Sequence, residues 1–339
     1  MSEDPPRPFA AVVLAAGRGT RFGSPLPKVL QPLAGRPLLG HVLAALDLAG
    51  ASRSVVVIGY GGDQVKAAFP EREYVWQAEQ LGTGHAVLQA RPAFPDPADL
   101  VITYGDVPLI PAETIAALHQ QRLASGAALT ALTCTTGDPT GLGRIVRDEA
   151  GRPLAIAEEK VATTEQRAIR EWNSGLYAVD GEWLWPRLAA LGPSATGEVY
   201  LTDLFAQAAR EGVLSTVTTT DAVAVAGIND RPELARADAI LRERIRRRLL
   251  NDGVLVVGGE TVVVDIDVQV GFDTLILPGC VFSGRTVIGR GCRIGPHAIL
   301  EDALVGDGSV VEASHLRGVS IPPGSIVHSF QRLVAGDDG

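Results

Sequence analysis

Cysteine is scarce in this chain of 339 residues, with only Cys134, Cys280 and Cys292 present. Spaced so widely, they make neither a disulfide framework nor a metal-ligand cluster. Positive charge is short as well: 30 lysines and arginines face 39 aspartates and glutamates, a formal net charge of −9. Affinity for phosphate backbones draws on basic surface, so this balance argues against a general nucleic-acid partner. No apolar run approaches the ~18 residues of a membrane span. The opening residues, MSEDPPRPF, are acidic and proline-rich, which reads as a flexible tail over residues 1–8 and not as a secretory signal. A soluble, cytoplasmic protein is expected. What the chain has in quantity is apolar residues (46%) and glycine (38). They point to an ordinary globular core with many turns or a glycine-marked repeat. The length suits one large α/β domain and a smaller appendage.

The stretch from Val12 to Leu30, VVLAAGRGTRFGSPLPKVL, organises the rest. A short β-branched run ending at Leu14 reads as a buried first strand. It passes directly into Ala15-Ala16-Gly17-Arg18-Gly19-Thr20-Arg21. Small residues after a parallel strand let backbone N–H groups approach phosphate oxygens, and Arg21 and Lys28 add the positive charge that such a loop uses. Two glycine motifs are excluded: no Gly-Lys-Ser/Thr follows, and the third glycine position of the dinucleotide pattern is Phe22.

Helical spacing over residues 38–49 and a second apolar strand, Ser54 to Ile58, predict a right-handed, doubly wound sheet whose ligands bind beyond the strands' carboxyl ends. QAEQLGTGHA (Gln77 to Ala86) reads either as a glycine turn capping a helix or as a ligand segment. In the second reading Gln77 pairs with a base edge, and Gly82 and Thr83 open a helix N-terminus. The apolar strand Leu100 to Tyr104 runs into Asp106, which is placed to hold Mg²⁺ beside substrate phosphates. The competing role, an N-cap, is disfavoured by the intervening Val107-Pro108-Leu109. Residues 222–229 read as a strand ending in Asn229. Residues 230–253 read as an amphipathic linker helix with Leu234, Ala237, Leu241, Ile245 and Leu249 on one face. Its arginines are a solvated face of an acidic protein. Beyond it, Val264, Val270, Ile276, Phe282, Ile288, Ile294 and Leu300 recur every six residues. That is the mark of a left-handed parallel β-helix, here on the order of three coils with a phase slip near Ala303.

The string Leu-Ala-Ala-Gly-x-Gly-Thr-Arg-x(6)-Lys, with QAEQLGTGHA, TYGDVPL, Gly141-Leu142-Gly143-Arg144, the Glu158 and Asn173 segments and Gly197 to Asp203, resembles the bacterial N-acetylglucosamine-1-phosphate uridyltransferases. Trp172 and Ser174 depart from that family's usual Ile and Thr. The resemblance implies an α/β fold: a Rossmann-like mixed-sheet nucleotidyltransferase domain over 9–229, then the helix and a β-helix over 254–330, with a frayed end over 331–339. It further implies that Leu14, Ala15, Gly17 and Gly19 wrap the nucleotide and that Arg21 and Lys28 serve the transferring phosphates. Gln77 and Gly82 would contact uracil, with Thr83 near the ribose. Asp106 and Asn229 would hold Mg²⁺, while Tyr104, Gly143, Glu158 and Asn173 would meet the sugar.

The expected reaction is Mg²⁺-dependent uridylyl transfer from UTP to N-acetylglucosamine 1-phosphate in peptidoglycan precursor synthesis. The partners are these small molecules, with no nucleic acid and no membrane, and a homotrimer through the β-helix is the candidate assembly. The alternatives are the same chemistry on glucose 1-phosphate or dTTP, and a non-catalytic nucleotide-sugar-binding subunit. The family's acetyltransferase motifs have no counterpart after Gly306. The expectation is therefore a truncated or single-function relative without acetyl transfer.

Overall fold

The computed structural model describes residues 8–96, 98–194 and 197–336. The sequence-predicted tail therefore lies, apart from Pro8, outside the described residues. Two compact units are present. One holds the chain up to Gln31 together with Pro37–Arg231, and the other holds Pro32–Arg36 and the chain from Pro232 onward.

The first unit is built on nine strands: β1 Phe9–Ala15, β2 Ala51–Ile58, β3 Glu73–Trp76, β4 Asp99–Tyr104, β5 Leu129–Cys134, β6 Arg144–Arg147, β7 Pro153–Ala157, β8 Trp172–Asp180 and β9 Leu214–Thr219. Their order is 9-5-8-4-1-2-3, with the β6–β7 pair attached to β8. β1 runs parallel to β2 and β4, whereas β8 lies antiparallel to β4 and β5. The sheet is therefore doubly wound, as the alternation of strand and helix predicts, and mixed, as the family resemblance implies. Between them run α1 Leu38–Leu48, α2 Gly62–Ala68, α3 Thr83–Gln89, α4 Ala112–Ser125, α5 Thr164–Arg167, α6 Gly181–Ala190, α7 Asp203–Glu211 and α8 Ala222–Val225.

The period-2 geometry of a strand explains the near-continuous apolar run of β1, since both its faces are covered. Phe9, Ala11, Val13 and Ala15 pack with Leu39, Val42 and Leu43 of α1 and Ile115 and Leu118 of α4. Ala10, Val12 and Leu14 pack on the opposite side with Val87 of α3, Leu184 and Leu188 of α6, and Phe205 of α7. Two core layers thus fix β1 from both sides and leave its carboxyl end to support the glycine loop.

The segment before Asn229 is not the expected strand. The Asp221 carboxylate accepts the Ala224 N–H (3.0 Å) and starts the single-turn helix α8. An Asp cap and alanine's helix preference here outweigh the apolar run.

In the second unit, α9 Arg231–Asn251 buries Ala237, Leu241, Ile245 and Leu249. Some of its arginines are ion-paired: Arg242 meets Asp238 (2.7 Å) and Asp265 (3.3 Å), and Arg246 meets Glu243. Three parallel ladders follow, two of five strands and one of four. This is a left-handed β-helix of nearly five coils, where the periodicity suggested about three. The core rows explain the difference. Phe282 pairs with Leu300 and Ile288 with Val305, but Leu300 pairs with Leu316 and Val305 with Ile321. Coils past Leu300 are shorter by one or two corner residues, so the six-residue phase is lost while the inward apolar row persists. The final strand, Arg332–Val334, pairs with His315–Arg317, so the ladder passes residue 331, where a frayed end was expected. The unit also takes in Pro32–Arg36: the Ala34 N–H donates to Asp238 Oδ1 (2.9 Å), and its carbonyl accepts from the Ile266 N–H (3.0 Å).

Candidate active site

A cleft of about 420 Å³ opens in the first unit beyond the carboxyl ends of β1 and β4, lined by Leu14, Ala15, Gly17, Gly19, Arg21, Lys28, Gln77, Gly82, Thr83, Tyr104 and Asp106. These are the sequence-predicted nucleotide and phosphate residues together with Tyr104. Parallel sheets place ligands at such a switch point, because neighbouring connections there leave in opposite directions. β1 hands the chain to the loop, and β4 hands it to Gly105 and Asp106, whose position is held by the Gly105 N–H on Leu14 O (2.9 Å).

The charged centre lies on this loop. The Lys28 ammonium forms a short ion pair with Asp106 and donates to Asn229 Oδ1 (2.8 Å). Arg21 Nη2 donates to the same oxygen (2.9 Å). Asn229 arrives from far along the chain because the Ile228 N–H donates to Asp106 O (2.9 Å). Thus a carboxylate and an amide oxygen converge on one cation. Hard oxygen donors of this kind, with substrate phosphates, suit Mg²⁺. Among the described residues, no group of three or more His, Cys, Asp or Glu gathers for a metal.

The nucleotide wall is made by the turn before α3. Gly82 adopts φ +101°, and a Cβ there would lie 2.5 Å from Val199 O. Only glycine lets the two segments meet this closely. Hydrogen bonds from the Val199 N–H to Leu81 O (2.8 Å), from the Gly84 N–H to Val199 O (2.9 Å) and from the Leu201 N–H to Thr83 Oγ1 (3.1 Å) lock them together. That contact carries Glu198 and Tyr200 into the cleft lining. Tyr200 was missed by sequence reasoning, as was Gln80, whose Nε2 donates to Ala16 O (2.7 Å) and ties the wall to the loop. Gln80 stands three residues after Gln77 in the same string, so the signal was available.

Gly143, Glu158 and Asn173 do not line this cleft. They form a neighbouring cluster, Gly143 just before β6, Glu158 just after β7 and Asn173 on β8. The Asn173 N–H donates to Gly143 O (2.9 Å), and a Cβ on Gly143 would stand 3.6 Å from Glu158 Oε2. Glu158 Oε1 accepts from the Thr202 hydroxyl (2.8 Å), and Asn173 Nδ2 donates to the Tyr177 hydroxyl (2.6 Å). An ion pair between the buried Arg144 and the half-buried Glu159 (2.8 Å) anchors the adjoining backbone. Tyr104 connects the two regions. Burial pushes its phenol well above the ordinary range, and the nearby Asp106 and Glu158 charges push the same way, so it stays protonated.

A family model for MobA-like NTP transferase domains matches residues 11–191, and one for bacterial transferase hexapeptide repeats matches residues 267–302, ending where the repeats shorten. Fold and cleft together define a sugar-phosphate nucleotidyltransferase. The chain is 45% identical over 330 residues to the bifunctional protein GlmU of Heliobacterium modesticaldum, covering 96% of this chain and 72% of that one. It is 44% identical over 330 residues to GlmU of Stutzerimonas stutzeri (96% and 72%) and 43% identical over 328 residues to GlmU of Thermobifida fusca (94% and 68%). The chain belongs to the GlmU family.

Proposed function

We propose that the protein transfers the uridylyl group of UTP to N-acetylglucosamine 1-phosphate with Mg²⁺, giving UDP-N-acetylglucosamine and pyrophosphate. The observation that carries the reading is the convergence of Arg21, Lys28, Asp106 and Asn229 at the mouth of the glycine loop. A phosphate oxygen of the sugar 1-phosphate is already ionised, so it attacks the α-phosphorus without a general base. Catalysis is then positioning and neutralisation of charge. Arg21 and the loop N–H groups hold the leaving pyrophosphate, and Lys28 steadies the α-phosphate. Asp106 and Asn229 hold Mg²⁺, which supplies charge neutralisation on the phosphate oxygens when bound. Gln77 and Gly82 read the base; Tyr104, Gly143, Glu158 and Asn173 read the sugar.

In this reading residues 9–229 are the catalytic domain, 230–253 the connecting helix and 254–334 the β-helix, which assembles three cytoplasmic copies. Among the described residues, no helix is long and apolar enough to cross a membrane.

Pyrophosphate release tests the substrate assignment. UTP, dTTP and ATP are each paired with N-acetylglucosamine 1-phosphate and glucose 1-phosphate. Preference for UTP with the acetylated sugar supports the reading; turnover with another pair moves the substrate and keeps the chemistry.

A further inference from the structure

Gln77 is 5% exposed, and its amide is held from two sides. Its Nε2 donates to Gly82 O (3.0 Å) and stands 3.1 Å from His85 Nδ1. A carboxamide nitrogen has two hydrogens, and both are thereby directed into the protein. Its Oε1 has no hydrogen-bond partner among the described residues, on a side chain that lines the cleft. Because the Gly82 carbonyl only accepts, the reverse orientation would set two oxygens 3.0 Å apart. The imidazole must then accept at Nδ1 and carry its proton on Nε2. That nitrogen lies 3.0 Å from the side-chain nitrogen of the half-buried Gln89, which also donates to His85 O at the longer distance of 3.3 Å. With Gln77 fixed by the Gly82 carbonyl, the Gln89 amide turns its oxygen to the imidazole N–H and gives up that longer bond.

We propose that His85 is a positioning residue for base selection: with Gly82 it holds the Gln77 amide with its carbonyl oxygen turned into the cleft, and so selects pyrimidines that carry a proton on ring nitrogen 3. This rests on the reading of the cleft as a uridine nucleotide site and gives that site its physical rule. Uracil and thymine present an N–H at position 3, which donates to Gln77 Oε1. Cytosine presents a lone pair there, and two acceptors meet in a partly desolvated wall. A site that leaves such a group unpaired discriminates by about 100-fold. The rule separates UTP from CTP and is blind to the difference between UTP and dTTP.

The test is the ratio of kcat/KM for UTP over CTP in the full chain, with Mg²⁺ and N-acetylglucosamine 1-phosphate. His85→Leu removes the second acceptor, and His85→Gln moves the polar group to the Nε2 position, out of reach of Gln77. Both should lower the ratio about 10-fold, with the KM for the sugar phosphate unchanged. His85→Asn, which keeps an oxygen near the place of Nδ1, should stay within about 3-fold of wild type. Wild-type ratios in every folded variant, or loss of the ratio in His85→Asn as well, would overturn the role of His85. A wild-type protein that prefers CTP, or that ignores UTP with this sugar phosphate, would instead overturn the underlying reading and the proposal with it.

Discussion

Gly19 and Gly23 both adopt left-handed backbone, with φ of +57° and +56°, but they differ in what a side chain would meet. A Cβ on Gly23 finds nothing within 4 Å, whereas one on Gly19 lies 2.5 Å from the Cβ of Lys28. Substituting alanine at either site imposes similar backbone strain, about 1 kcal/mol. At Gly19 the Lys28 backbone must also retreat by about 1 Å to reach ordinary carbon–carbon contact, because no flexible end is available to swing aside. That retreat pulls the ammonium from Asp106 and Asn229. Misplacement on this scale costs on the order of 100-fold in rate. Gly19→Ala and Gly23→Ala are therefore expected to melt within a few degrees of each other, while only Gly19→Ala loses about 100-fold in pyrophosphate release. Lys28→Met sets the floor. Equal activity in the two alanine variants would refute the link between the glycine and the lysine.

Glu158→Gln, which replaces a carboxylate oxygen set beside Gly143, should raise the KM for the sugar phosphate about 10-fold and leave that for UTP unchanged, as initial-rate kinetics would show. Glu211 is held at about 2 by hydrogen bonds from Arg187 and Trp183. A depressed carboxyl contributes stability that is full above its ordinary value near 4.5 and lost as pH falls toward 2. Glu211→Gln should flatten that part of the pH–melting curve. Phe282 is fully buried in the β-helix, and Phe282→Ala should cost about 3–5 kcal/mol in denaturant unfolding of that unit.

Much of this was legible because local pattern and tertiary role coincide. The run through β1 is apolar on both faces since helices cover both, and the six-residue rhythm follows directly from inward-facing side chains. The same rhythm misled past Leu300, where shorter corners keep the core row and break the count. Asn229 shows a different limit. Its meeting with Lys28 depends on a backbone hydrogen bond to Asp106 across more than 120 positions, which no local pattern encodes. Residues 222–225 read as strand because alanine and valine alternate, yet the Asp221 cap decides for helix. Glu158 and Asn173 were found only through the family resemblance, since each alone looks like an ordinary strand end.

The most direct test follows the α-phosphorus. With UTP labelled at that atom, N-acetylglucosamine 1-phosphate and Mg²⁺, the label should pass into UDP-N-acetylglucosamine while pyrophosphate leaves unlabelled, and Asp106→Ala should abolish the transfer. Label remaining in UTP while the nucleotide sugar still binds would contradict catalysis at this cleft.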